Sequence, residues 1–302
     1  MSIVVVGSVA FDTVITPYGR VDEALGGAAT YFAVAASYFC PVKVVAVVGD
    51  DFGAEHEAVL LTRGVDTSGI ERVPGRTFRW GGEYSRNLNE RKTLFTELNV
   101  FETFAPVLPA EFRNTPYVFL ANIAPQLQQS VLEQVEKPEL VALDTMNYWI
   151  EGSLDALKTT LRQVDILIIN DEEARELSGA YNLVEAAEAI RVLGPASVII
   201  KRGEHGATAF LKYGVFTVPG FPLRQLADPT GAGDTFAGGF MGHLASTGDH
   251  SMEGLRRAIV AGSVLASFCV ESFSLDGIQG LGSEQIASRY GEFQALTRFD
   301  DI

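Results

Sequence analysis

The chain has 302 residues, 47% of them hydrophobic and 20% charged, and its 23 basic and 38 acidic side chains leave a formal charge of −15. Nucleic acids are bound through cationic footprints that displace phosphate counterions, so this balance argues against DNA or RNA as a partner. Apolar residues are frequent enough for about 300 residues to bury roughly three quarters of their unfolded surface in a folded domain.

Residues 3–7 open the chain as a nearly continuous Val and Ile run, the pattern of a strand buried on both faces. They lack the basic flank of a signal peptide, and no later apolar run approaches the ~20 residues needed to span a bilayer. Cys40 and Cys269 stand too far apart for a metal-ligand or disulfide framework. These features predict a soluble, cytoplasmic chain with no membrane partner.

Residues 13–25 mix polar and apolar side chains like a half-exposed strand. Residues 28–38 then read as a helix and 42–48 as another buried strand. Residues 70–99 return to the mixed character, punctuated by Pro74, Gly75, Gly81 and Gly82. Within them Phe78 and Trp80 alternate with Thr77 and Arg79, which predicts a β-hairpin with residues 85–91 as its loop. Further on, residues 117–121, 140–144, 166–170 and 197–201 read as strands, with helices over 153–163 and 183–193 and a final helix over 283–296. Strands alternating with helices predict an α/β fold: a doubly wound, mostly parallel sheet. The expected division is a core of residues 1–12, 26–69 and 101–302, and a small β lid of residues 13–25 and 70–100.

The stretch Asp228-Pro229-Thr230-Gly231-Ala232-Gly233-Asp234 carries the most chemistry. Its glycines allow a tight turn, and helical periodicity follows, so successive N–H groups can face one concavity beside the positive end of a helix. That is an anion site suited to a transferring phosphoryl group, with Asp234 placed to accept a proton from an attacking hydroxyl. An ordinary first-turn acid on a glycine-rich helix start would look the same. Phe236 stands where a dinucleotide-binding fingerprint needs glycine, and the chain has no P-loop.

These residues resemble the C-terminal signature of the ribokinase-like, or PfkB, carbohydrate kinases, and other landmarks follow in that family's order. Gly7-Ser8 with Asp12 is similar to the first strand and its substrate-binding acid, and Gly26-Gly27-Ala28-Ala29 to the double-glycine motif. Residues 48–53 and 64–67 match the connecting elements. Asn170-Asp171-Glu172-Glu173 resembles the family's Asn-x-x-Glu, and residues 201–206 its strand-to-loop near the nucleotide. The resemblance spans the chain to about Gly277. It implies ATP-dependent phosphorylation of a primary hydroxyl on a sugar or nucleoside. Asp234 would be the general base, and the N–H groups of Gly231, Ala232, Gly233 and Asp234 the anion hole. Asp12, Gly26, Gly27, Tyr31 and Asn122 would meet the acceptor, and Asn170, Lys201, Gly203 and Gly206 the nucleotide. Asn170 and Glu173 would support Mg²⁺ through water, although the same pair also fits a helix capping box. Asp228 and Thr230 match positions that in many relatives help hold a monovalent cation such as K⁺.

Asp144 ends a strand and is a further candidate for the crevice. Lys201 and Arg202 are equally readable as solvated residues after a strand. Among Arg79, Arg86, Arg91 and Lys92 of the lid, one could close over phosphates. His56, His205, His243 and His250 show no metal-ligand spacing.

The chain departs from the family where many sugar kinases carry hydrogen-bonding Asn residues: Ala10 and Tyr31 occupy those positions. Polar contacts are lost and aromatic area gained, which favours a nucleoside over a simple pentose, with Tyr31 or Trp80 as a stacking surface. A simple sugar kinase for ribose or fructose, and a non-catalytic metabolite-binding regulator on the same fold, are the alternatives. The lid pattern of Thr77 to Trp80 admits a homodimer through the lid as readily as a monomer.

Overall fold

The computed structural model describes residues 1–298. Its N-terminal third holds seven strands: β1 (Ile3–Val6), β2 (Ala10–Thr16), β3 (Gly19–Gly26), β4 (Val42–Val48), β5 (Asp66–Arg72), β6 (Phe78–Tyr84) and β7 (Arg91–Glu97). Six more follow: β8 (Tyr117–Leu120), β9 (Leu140–Asp144), β10 (Ile166–Asn170), β11 (Ser197–Lys201), β12 (Ala207–Leu211) and β13 (Gly214–Val218).

Nine strands form one sheet in the order β13-β12-β11-β10-β9-β8-β1-β4-β5. From β5 to β11 every pairing is parallel, and only the two pairings of β12, with β11 and with the edge strand β13, are antiparallel. The continuous apolar runs are explained by burial on both faces. Ile3 and Val5 pack on one side with the helices Ala28–Ala36, Ala232–Thr247 and Met252–Cys269. Val4 and Val6 pack on the other, with Leu157 and Leu161 of the helix Leu154–Leu161 and Ile190 of the helix Leu183–Val192. Phe32 belongs to the first layer, stacked on Phe119 with ring centres 4.2 Å apart. The chain leaves β1 in one direction toward β4 and later returns on the other side as β8. In open α/β sheets, a crevice opens at the carboxyl ends of strands around such a reversal.

A second sheet has the order β3-β2-β6-β7. β2 pairs antiparallel with β3 and parallel with β6, and β6 with β7 makes the expected hairpin. The boundaries differ from expectation in two places. Residues 70–72, read as lid, lie in β5, the edge of the large sheet paired with β4. An edge strand with one covered side shows the same half-exposed alternation as a small free sheet. Conversely, residues 10–12 and Gly26, read as core, belong to the paired strands β2 and β3 of the small sheet, with Ala10 opposite Gly26. The chain bends at Gly7 to Val9 and resumes as a strand sooner than its apolar pattern announces. The last helix is Ser283–Thr297, and no helix among the described residues is long and apolar enough to cross a membrane.

Candidate active site

The carboxyl ends of β9, β10 and β11 bring Asp144, Asn170 and Lys201 to the crevice. Lys201 Nζ lies 3.2 Å from Asp144 Oδ2. Burial alone pulls the Lys201 ammonium down, but Asp144, Glu173 and Asp234 surround it and leave its pKa raised. Lys201 is therefore a cation held among three carboxylates, and the solvated alternative fails. Asn170 and Glu173 do form the capping box of the helix Asp171–Ser178. Asn170 Oδ1 accepts from the Glu173 N–H at 2.8 Å, and Glu173 Oε2 accepts from the Asn170 N–H at 3.0 Å. Burial and the neighbouring Asp144 raise the Glu173 carboxyl to about 7. The capping and crevice roles thus coexist in one pair.

The glycine-rich turn meets this cluster from the opposite side. Asp228 is buried and ties the turn down, accepting from the Thr230 N–H at 2.8 Å and the Ser274 N–H at 3.4 Å. Gly231 has φ 75° and caps the helix Ala232–Thr247. A Cβ there would also lie 2.4 Å from the Tyr31 ring, so glycine is required twice over. A Cβ on Gly233 would stand 2.8 Å from Lys201 Nζ, which means the ammonium rests directly against the turn. Asp234, in the first turn of the helix, is raised to about 7. Burial is the main cause and Asp144 adds to it, while Lys201, the residue's own N–H and Arg91 oppose.

Asp12 comes from the small sheet, inside β2 rather than in a turn after β1. The double glycine makes its seat. A Cβ on Gly26 would fall 2.0 Å from Asp12 Oδ2, and Gly27 takes φ 92° against the Ser8 carbonyl while its N–H bonds the Asp12 carboxylate. Burial raises Asp12 to about 7 despite that bond, and Asp228 and Asp234 push in the same direction. Trp80 sits beside Asp12 in the β2–β6 register. Its indole lies flat on Gly82, where a Cβ would come within 2.1 Å of the ring.

The small sheet touches the crevice at two further points. Thr230 Oγ1 donates to the Tyr84 hydroxyl at 3.1 Å. In the loop after β6, Asn89 Oδ1 lies against Gly203, so close that a Cβ on that glycine would be 2.8 Å away. Gly203 opens the loop that closes at Gly206, whose carbonyl accepts from the Arg202 N–H at 2.7 Å.

Two expected acceptor contacts are reassigned. Tyr31 is 1% exposed, its ring covered by Gly231, so it supports the turn and offers no free face for stacking. The Asn122 amide is already engaged, donating to Met146 Sδ at 3.1 Å and accepting from Trp149 Nε1 at 3.0 Å. Arg79 is likewise spoken for, donating to Asp51 at 2.8 Å and to Glu23. Tyr84 is the site residue that sequence reasoning missed. Its signal was the period-two face that carries Trp80 through Gly82 to Tyr84.

The family profile of the pfkB family carbohydrate kinases matches residues 1–277. The chain belongs to the PfkB family. As a PfkB-family kinase it is a phosphotransferase with an alcohol acceptor and uses ATP. It is 30% identical to a cytidine kinase of Thermococcus kodakarensis over 249 residues, 80% of this chain and 87% of that protein. Its fold is similar to the nucleoside kinase of Methanocaldococcus jannaschii, with a TM-score of 0.78, 20% identity and coverage of 96% and 98% of the two chains. A ribokinase II structure from E. coli in complex with ATP and Mg²⁺ gives a TM-score of 0.77 at 20% identity, covering 96% and 99%.

The donor set of this PfkB-family chain bears on how a metal would be held. Among the described residues no three His, Cys, Asp or Glu side chains cluster as metal ligands. One half-buried carboxylate, Glu173, with Asn170 beside it suits an Mg²⁺ ion that arrives on the nucleotide phosphates and meets the protein through water. Both Asp228 oxygens serve backbone N–H groups, Oδ1 that of Thr230 in the turn and Oδ2 that of Ser274.

Proposed function

We propose that the chain is an ATP-dependent nucleoside kinase in which Asp234 is the general base. The observation that carries this reading is the convergence of three elements on one crevice: the Gly231–Gly233 turn, the Asp234 carboxyl poised near 7, and Asp12 seated on the double glycine beside the Trp80 indole.

Asp12 holds the acceptor by its hydroxyls. Asp234 takes the proton of the attacking hydroxyl while that oxygen bonds the γ-phosphorus. The bond from phosphorus to the β,γ-bridging oxygen breaks, and its electron pair leaves with ADP. The Ala232 N–H is engaged by the Pro229 carbonyl at 3.2 Å, which removes it from the expected anion hole. The N–H groups of Gly231 and Gly233 and the helix start receive the charge of the equatorial phosphoryl oxygens, and Lys201 adds a cation at the same turn. Mg²⁺, when bound near Asn170 and Glu173, supplies further neutralisation of the phosphates. Gly203 and Gly206 border the nucleotide. The small sheet acts as a lid that excludes water, since a wet site would hydrolyse ATP instead.

A nucleoside is favoured over a simple sugar because the aromatic surface beside Asp12 is Trp80, whose indole is seated against Gly82. The similarity to a cytidine kinase supports the same choice. Coupled ADP release across a panel of cytidine, adenosine, inosine, ribose and fructose tests it. Turnover of a nucleoside well above ribose and fructose is expected, and turnover confined to the sugars overturns the substrate assignment.

A further inference from the structure

Four cationic side chains lie on or near the small sheet's hairpin, and their surroundings separate them. Arg79 is locked to Asp51 and Glu23. Lys92 follows Arg91 in β7 and so projects from the opposite face. Arg86 lies in the hairpin loop beyond β6. Arg91 alone shares the crevice face, opposite Tyr84 in the β6–β7 register. Its guanidinium carbon stands 5.2 Å from the centre of the Trp80 ring, stacked on the indole. It also faces the Tyr84 hydroxyl, which Thr230 of the turn already contacts. Its charge favours the ionised forms of Asp12, Glu173 and Asp234, so it points into the crevice rather than away from it.

This arrangement contains a competition. One face of the Trp80 indole is covered by Gly82, and the other carries Arg91. A planar group that stacks on Trp80 must take the place of the guanidinium. A cation on an aromatic face at an exposed site is weakly held, so the exchange is easily driven by a bound acceptor. Once displaced, Arg91 remains tethered above Asp12 and Asp234, where an ATP γ-phosphate would be the strongest new partner for a planar fork of donors.

We propose that Arg91 has two positions: stacked on Trp80 while the acceptor site is empty, and turned to the transferring phosphoryl group once the acceptor's planar part takes the indole face. Arg91 thereby makes phosphoryl transfer depend on acceptor occupancy, as an arginine supplied in cis. The inference rests on the nucleoside reading above.

The test uses the full chain with ATP, Mg²⁺ and cytidine. Cytidine is expected to change the tryptophan fluorescence of the wild-type protein, and a Trp80→Phe variant to lack that change. Arg91→Met is expected to bind cytidine as tightly as wild type or more tightly, its competitor for the indole being gone, while kcat falls about 10²–10³-fold. Arg91→Lys recovers only part of that loss, because an ammonium lacks the planar fork. A merely structural arginine would weaken binding and turnover together. The proposal is overturned by wild-type kcat in Arg91→Met, by loss of cytidine binding in step with kcat, or by a Trp80 signal that ignores cytidine. Failure of the nucleoside reading is separate, because it shows in the wild-type substrate panel before any variant is made.

Discussion

The two sheets of this kinase do opposite kinds of work with opposite kinds of surface. The central strands of the large sheet are almost entirely buried, and their carboxyl ends hold Asp144, Asn170 and Lys201 by the packing of everything beneath them. The small sheet is exposed along all of β7 and half of β3, and it meets the crevice through a few polar contacts, Tyr84 with Thr230 and Asn89 with Gly203. Asp12 is one of the points that join them, together with Arg79 on Asp51 and the Thr16 hydroxyl on the Ala227 carbonyl. Asp12 belongs to the small sheet by hydrogen bonding, yet its carboxylate is seated on Gly27 at the start of a core helix. A rigid half can hold like charges together against their repulsion, whereas a thinly attached half can open to admit substrate. The difference predicts that damage on the core side costs chemistry or stability, while damage to the contacts that fasten the small sheet costs binding; Arg91 stands apart because it is the one small-sheet side chain assigned to the phosphoryl group.

The largest expected effect lies on the core side. Asp234→Asn should lower kcat by about 10³-fold while leaving the KM for ATP near its wild-type value, since a general base acts only in the transition state. Steady-state kinetics with a coupled ADP assay measure both constants. Turnover comparable to wild type would remove Asp234 as the base.

Lys201→Met probes the cluster that the core holds together. It strips the cation from among Asp144, Glu173 and Asp234, and breaking such a buried arrangement costs about 3 kcal/mol. Urea unfolding at pH 8 should show a clearly lower midpoint. The same change removes an attraction that favours ionised Asp234, so the ascending limb of the pH–activity profile should move to higher pH. An unshifted limb would mean that Lys201 does not bear on the base.

On the small-sheet side the expected effect is smaller and of another kind. Tyr84→Phe removes the acceptor of the Thr230 hydroxyl, a bond whose net value is about 1 kcal/mol, or roughly fivefold. Because that contact fastens the small sheet over the turn, the loss should appear in the acceptor KM with kcat little changed. A kcat loss without a KM change would break the comparison between the two regions.

How much of this was legible from the residues depends on the range over which each signal acts. The buried strands announced themselves through unbroken Val and Ile, a signal contained within each segment. The turn at residues 228–234 was equally plain, because glycine spacing and the following helix are adjacent in the chain. Lys201 was not, since its setting is made by carboxylates from three distant elements and nothing at residue 201 itself reveals them. Tyr31 misled for the related reason that an aromatic residue at a helix start has the same pattern whether it faces a ligand or lies beneath a neighbouring turn. The end of β5, residues 70–72, was misassigned because an edge strand and a free sheet share one alternation. Local chemistry could be read; convergence could not.

The smallest expected effect tests the strain that the rigid half sustains. Asp234 titrates near 7 in the folded protein against 3.8 for the unperturbed carboxyl. Between those values the folded state binds more protons than the unfolded chain, so this group's contribution to stability falls as pH rises and its full cost is present above about 7. Asparagine cannot ionise, so Asp234→Asn should escape nearly the whole of that cost at pH 8 and only the smaller part of it already present at pH 5. The gain is offset in part because Lys201 loses one of its carboxylates and because Asp12 and Glu173 titrate in the same range. A net of about 1 kcal/mol, or a Tm increase of roughly 2–4 °C at pH 8, is what remains. Differential scanning calorimetry of both proteins at pH 5 and pH 8 measures the difference of differences. A Tm shift that is the same at both pH values would show that the carboxylate is not held ionised at a cost, and a base poised near neutrality would then lose its physical footing.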